Sequence, residues 1–438
     1  MAYDKFLNVE QHERSDIEKE EETNKRFEYW DVGMVRNAKA EFKKKMKVYL
    51  DPSPHVVLDQ DIKMRGWYKS KEERPGVRNR PCYTEALLTQ PYGGTCPVRC
   101  NFCYVNNGGR GYRGQGLTVV DPNYPFKIEK QIKAMKIGFP VYISSFTEPF
   151  QPLENIYHIT QQLGDIVVAN GLPLFYLTRM ITPDWAIEHM MNSKYSYQQF
   201  SIVTPDSKDF NRFSPNCAKL DDILARMREI HKLGIYISIQ INPINPGIVS
   251  NDQIVQLIHL LAKNGANHVI FKFVELVTNA ASELVRRYTK LLPDRISTFE
   301  SLFTDTIGGM RTIKESYRIN SLNLYKEECT KAGVTMGLCY EYGYERLGNG
   351  EIKNKTGKSL GDKYCTADQC HGMRTPLHIK NDNGIFEPFE VCPPSGCLYC
   401  KETCGSDVAP CGSDLLFQAK ALKPSDYNKA YNEIIENI

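Results

Sequence analysis

The chain lacks any apolar run of the roughly 20 residues needed to cross a bilayer, and its mean hydropathy is -0.44. Its opening residues, Met1 to Asp16, carry neither the basic cluster nor the apolar stretch of a secretory leader. These absences predict a cytoplasmic protein with no membrane partner. An excess of one charge is also missing. The 55 Lys and Arg against 52 Asp and Glu leave a net +3, too little for the dense positive surface that long nucleic acids usually demand, so no long polynucleotide is expected. Cysteine is too sparse for a disulfide scaffold, with 14 in 438 residues. In a reducing compartment such residues stay thiols or bind metal. No GxxxxGK stretch marks a phosphate loop.

What is present is enough apolar chain for a large core, with 41% hydrophobic residues. Three zones follow from composition. Residues 1–80 hold 18 basic and 16 acidic residues, and the sparse apolar positions Phe27, Trp30, Val35 and Phe42 predict an N-terminal helical extension wrapped on a larger body. Residues 81–345 alternate short apolar runs with amphipathic stretches, the pattern of parallel strands joined by crossover helices. Strands are expected at 85–90, 141–146, 173–178, 199–204, 235–242, 268–275 and 334–340. Between the fourth and fifth, Leu220, Ile223, Leu224, Met227 and Ile230 recur at helical spacing, and Gly234 closes that helix. Such α/β repeats build an open sheet or a barrel, and in barrels the chemistry gathers at the C-terminal strand ends. Residues 346–438 form a Cys-rich C-terminal region, with a closing helix expected from Ser425 to Ile438.

Directly after the first expected strand, Cys96, Cys100 and Cys103 form a CxxxCxxC triplet. Three thiolates this close can hold three irons of a cubane cluster and leave the fourth open to an outside ligand. A structural zinc wants four ligands, usually from two separated pairs, and fits the spacing poorly. Further along, Cys392, Cys397, Cys400 and Cys404 crowd together as a possible second metal site, either zinc or iron–sulfur.

The triplet, with the aromatic Phe102 before its last cysteine, resembles the signature of the radical S-adenosylmethionine (SAM) superfamily. Over about residues 81–280 the chain looks most similar to the spore photoproduct lyase branch. The resemblance implies a partial (β/α)6 TIM-like barrel and a [4Fe–4S] cluster on Cys96, Cys100 and Cys103, with SAM on the open iron. It also implies an electron donor such as flavodoxin or ferredoxin. Position by position, it implies that Phe102, Glu148, Arg179, Ser201, Gln240 and Asn242 surround SAM, and that Tyr104 lies close to the reacting centre. One departure stands out. That branch carries a cysteine hydrogen donor near the end of the second strand, where this chain has Ser144, Ser145 and Phe146.

The plan of extension, barrel and Cys-rich tail further resembles queuine lyases. That resemblance implies cleavage of a small modified nucleobase, queuine, to a 7-aminomethyl-7-deazaguanine base, with Glu275, Asp305, Tyr340 and Glu341 lining the substrate pocket. Two alternatives remain: a spore-photoproduct-lyase-like DNA repair enzyme, and an electron-transfer or structural iron–sulfur protein without SAM chemistry.

Overall fold

The computed structural model describes residues 26–37, 40–60, 64–66, 86–103, 111–277, 290–291, 301–307, 310–339, 341, 343, 345–346, 352–353, 360–367, 370–373, 375–376 and 378–388. Seven parallel strands run through it in sequence order: β1 (Leu87–Thr89), β2 (Val141–Ile143), β3 (Leu174–Thr178), β4 (Tyr197–Ser201), β5 (Ile237–Ile244), β6 (His268–Phe273) and β7 (Thr335–Leu338). Six helices link them: α1 (Tyr124–Ala134), α2 (Ile159–Ala169), α3 (Asp184–Asn192), α4 (Leu220–Lys232), α5 (Asn251–Lys263) and α6 (Glu315–Ala332). Right-handed crossovers between neighbours in unbroken order put every helix on one face, so the sheet curls into a partial (β/α)6 barrel. All seven expected strands are present, five of them trimmed at their ends, while β4 begins two residues earlier and β5 runs two residues further than expected.

Alternation along each strand sorts the side chains. Val141, Ile143, Leu174, Tyr176, Phe200, Ile237, Ile239, Ile241, Val269 and Phe271 point outward into one continuous core with the helices. The next residues point inward. At the N-terminal end of the barrel Leu88, Tyr142, Phe175 and Tyr197 form a separate buried cluster. Tyr142 stacks on Phe175 at 4.4 Å and Phe175 on Tyr197 at 4.5 Å, with His371 edge-on to all three rings. This plug closes the lower end, so any chemistry belongs to the opposite mouth.

The described part of the N-terminal zone is not helical. Phe27–Asn37 and Ala40–Tyr49 pair as a long antiparallel ribbon, which continues through His55–Val57 and Thr118–Val120 to Tyr92–Gly94 in one five-stranded sheet. The reason lies in a period of two. Val32, Met46 and Val48 are buried against Val56, Leu117 and Val119, while the alternating Lys45 is exposed and Lys47 half-buried. The expected helix over 425–438 lies outside the described residues. No helix among the described residues is long and apolar enough to cross a membrane.

Candidate active site at the barrel mouth

The strands Tyr92–Gly94 and Thr118–Val120 frame the loop that carries the triplet. The loop is tied at its base, where the Thr95 N–H donates to Leu117 O at 2.9 Å and the Thr118 hydroxyl to Thr95 O at 2.8 Å. Gly94 sits there at φ +66°, and a Cβ on it would lie 2.3 Å from Leu117 O. The far side is held from the segment between β4 and α4: the Asn101 N–H donates to Phe213 O at 2.8 Å, and Asn216 Nδ2 to Pro97 O at 2.9 Å. Two turns follow within the loop, from the Arg99 N–H to Cys96 O and from the Cys103 N–H to Cys100 O.

Cys96 and Cys100 are buried and Cys103 half-buried. Burial, then the nearby Cys100 and Glu148, pushes the Cys96 thiol far up. Burial also raises Cys100, against the opposing pull of the Arg179 guanidinium and of the Ser214 hydroxyl, which donates to its sulfur at 3.3 Å.

Arg179, just past β3, joins most of the predicted SAM-binding residues. Its guanidinium donates to Ser201 O at 3.0 Å, to Ser201 Oγ at 2.7 Å and to Asn242 O at 3.2 Å, and it lies 4.8 Å from the centre of the Phe102 ring. Gln240 is the register partner of Ser201 on β5. Glu148 comes down from the β2 exit into the same corner. There its carboxylate accepts from Thr178 Oγ1 at 2.5 Å, the Arg179 N–H at 3.0 Å and the Phe150 N–H at 3.1 Å. Burial outweighs these bonds and pushes its pKa up to about 7. The carboxylate thus braces the β2 and β3 ends. Gln90 supports the β2 exit in turn, accepting from the Phe146 N–H at 3.1 Å and donating to the Thr147 hydroxyl.

On the other side of the mouth, β6 and β7 hold a charge cluster. Lys272 faces inward, since its neighbours Phe271 and Phe273 stack outward on Tyr325. Its ammonium lies 3.2 Å from Glu341 and 3.3 Å from Glu275. Glu341 also accepts from Arg318 of α6 at 2.5 Å and from the Phe273 N–H at 2.8 Å. Burial works against the Lys272 charge, yet Glu341 and Glu275 hold its pKa above the usual value. The structure therefore brings the expected Glu275 and Glu341 together. Asp305 sits beyond them in a small antiparallel sheet, across Thr312 from Glu275, and accepts from the Glu315 N–H at the start of α6. Tyr104, Tyr340, Cys392, Cys397, Cys400 and Cys404 lie outside the described residues.

Sequence reasoning missed Lys272, Arg318, Ser214 and Gln90. A single lysine inside the apolar run His268 to Val274 was a visible signal for the first. The others had none, because their roles depend on chain segments far away in sequence.

A loop of three cysteines over the C-terminal mouth of a parallel partial barrel, flanked by a guanidinium and a buried carboxylate on the strand ends, defines an iron–sulfur enzyme centre. No family model matches the chain. It is 40% identical to the "Radical SAM Nalpha-GlyT isomerase" of Pseudomonas phage M6, over 98% of this chain and 92% of that protein. The chain belongs to the radical SAM family. Among solved structures it is similar to a spore photoproduct lyase mutant with bound AdoMet and dinucleoside spore photoproduct, at 16% identity and TM-score 0.45, covering 57% of this chain and 75% of the other. It is also similar to SuiB of Streptococcus suis bound to S-adenosylmethionine, at 14% identity and TM-score 0.39, covering 59% and 50%.

Family membership implies a [4Fe–4S] cluster and SAM. The residues suit both groups: three sulfurs share two consecutive turns of one loop, and a guanidinium beside them can offset thiolate charge. Among the described residues no three His, Cys, Asp or Glu side chains are already closed into a metal site.

Proposed function

We propose that this chain is a radical SAM isomerase acting on a thymine that carries glycine through its nitrogen. The observation that carries this reading is the 40% identity to the phage enzyme along essentially the whole chain. It favours an isomerase over a lyase and a glycine-bearing thymine over queuine. When bound, the cluster and SAM supply a 5′-deoxyadenosyl radical that removes hydrogen from carbon.

The chain's own residues suit such a reaction. An isomerisation conserves composition, so hydrogen removed at the start returns to the rearranged product and no separate thiol donor is needed. Ser144 and Ser145, where the lyase branch carries its cysteine, fit that requirement. Arg179, fixed by Ser201 and Asn242, would present its charge to the SAM carboxylate. A substrate glycine is a zwitterion, and the inward pair Lys272 and Glu275 offers one charge for each end. Both keep some exposed surface, 12% and 16%, whereas Glu341 and Arg318 behind them are almost fully buried.

The test is anaerobic reconstitution with iron, sulfide, dithionite and SAM, followed by incubation with the Nα-glycyl thymine nucleoside. A product of unchanged mass and altered chromatographic mobility is expected, and Cys100→Ala should abolish it. A product of lower mass would return the enzyme to the lyases. Conversion of queuine, with the glycyl nucleoside left untouched, would overturn the substrate.

A further inference from the structure

We infer that Cys217 is a fourth sulfur ligand of the cluster in the SAM-free chain, and that it yields its place when SAM binds. The inference rests on family membership, which implies the cluster, and not on the substrate.

Cys217 lies between β4 and α4, far from the CxxxCxxC triplet in sequence. The fold brings it back, because the residues around it are fastened either to the cysteine loop or to Arg179. Phe213 O accepts from the Asn101 N–H at 2.8 Å, the Ser214 hydroxyl donates to the Cys100 sulfur at 3.3 Å, and Asn216 Nδ2 donates to Pro97 O at 2.9 Å. On the other side of Cys217, the Ala218 N–H donates to Arg179 O at 3.3 Å. Cys217 donates its own N–H to Ser214 O at 3.1 Å, which closes the turn that carries its side chain. Its thiol feels the same groups. Burial, then the neighbouring Cys100, pushes it up, Arg179 draws it down, and Glu148 adds to the rise. Cys217 thus shares one corner with a cluster cysteine, the Arg179 guanidinium and the Glu148 carboxylate.

The ordinary role of a free cysteine is to pack like a small hydrophobe. Cys329 on α6 does that, fully enclosed by the core. Cys217 touches the core as well, but it remains half-buried and belongs to the segment that holds the cysteine loop. A thiolate is a soft ligand suited to iron, and Arg179 stands ready to offset the charge that one more thiolate brings. On ligation the thiol gives its proton to solvent as the Fe–S bond forms. When SAM takes the position through its amino and carboxylate groups, that bond breaks and the sulfur takes a proton back. No electron moves in either direction. The exchange keeps the iron of the open position in the cluster until the cofactor arrives.

The experiment compares the anaerobically reconstituted full chain with its Cys217→Ala and Cys217→Ser variants, without reductant or substrate. Mild ferricyanide oxidation strips an iron that lacks a protein ligand and leaves a three-iron cluster, whose electron paramagnetic resonance signal is counted per chain. SAM affinity is measured by calorimetric titration. With the thiol on the iron in about nine-tenths of molecules, Cys217→Ala should give about tenfold more of that signal and bind SAM about tenfold more tightly, since both follow the fraction with an open iron. Adding SAM before the oxidant should remove the difference in signal. A residue that merely supports the loop would move affinity the other way, because its loss loosens the site. Cys217→Ser keeps the size of the side chain with a poorer donor to iron, so it should shift both readouts in the same direction as Cys217→Ala. Cys329→Ala should match the wild-type chain in both. Equal three-iron signals in the wild-type chain and both Cys217 variants, or SAM affinity unchanged or weakened in both variants, would overturn the assignment. Neither readout involves turnover, so failure here is separate from failure of the isomerase reading.

Discussion

Arg179 gathers at one guanidinium Ser201 of β4, Asn242 of β5 and the ring of Phe102. A lysine keeps the charge but not the planar fork that spans Ser201 and Asn242. Arg179→Lys is therefore expected to raise the SAM concentration needed for half-maximal product formation about tenfold, with Arg179→Ala weaker still; kinetics at varied SAM measure both. Across the mouth, Lys272 separates two carboxylates. Lys272→Met leaves Glu275 and Glu341 without the ammonium between them, and breaking a buried pair of this kind costs about 3 to 5 kcal/mol. Denaturant unfolding should report that loss, and adding Glu275→Gln should recover part of it because one unpaired charge is then removed. Equal stability of Lys272→Met and the wild-type chain would show that the cluster contributes nothing to the fold.

The triplet loop depends on an element that its own residues do not announce. Its base closes only where Leu117 O comes against Gly94, whose positive φ and missing Cβ leave just enough space. Gly94→Ala should therefore disturb the loop while the helices and barrel persist: iron and sulfide per chain after reconstitution should fall below half, with the far-UV circular dichroism retained. The alternation within Leu174 to Thr178 and within Ile237 to Asn242 was legible because strands covered by helices on one side need continuous apolar outer faces. The ribbon was not. Its apolar residues are few, its charges dense, and sparse apolar positions at 27, 30, 35 and 42 match a helical spacing as well as a strand. Only pairing between Phe27–Asn37 and Ala40–Tyr49 shows that the period is two.

At the scale of the whole molecule, the segment after β7 returns to seal the lower end of the barrel. There His371 lies among Tyr142, Phe175 and Tyr197, and His268 contacts Cys370 O. Burial holds His371 down to about 3, and His268 and His378 down to about 4. The folded chain thus refuses protons that the unfolded chain takes up near 6.5. Stability is complete above that value and is lost as pH falls from about 6.5 toward about 4. Thermal melting at pH 7.5, 6 and 5 should show a progressive fall, and His371→Phe should flatten it, since the ring remains while the proton site, whose Nδ1 is buried without a hydrogen-bond partner, is gone. A pH-independent melting temperature over that range would refute the plug as the acid-sensitive element.

The sequence by itself determined the barrel and the triplet, because strand alternation, helical stripes and closely spaced thiols are local patterns whose physics needs no distant partner. Only the tertiary structure decided which side chains meet. Glu148 became a brace for β2 and β3, Lys272 took its place between Glu275 and Glu341, and the charged N-terminal zone became a ribbon on the sheet that frames the cysteine loop. Each of those outcomes depends on a contact between residues tens of positions apart, where burial of one group is compensated by a partner that no short stretch of sequence contains.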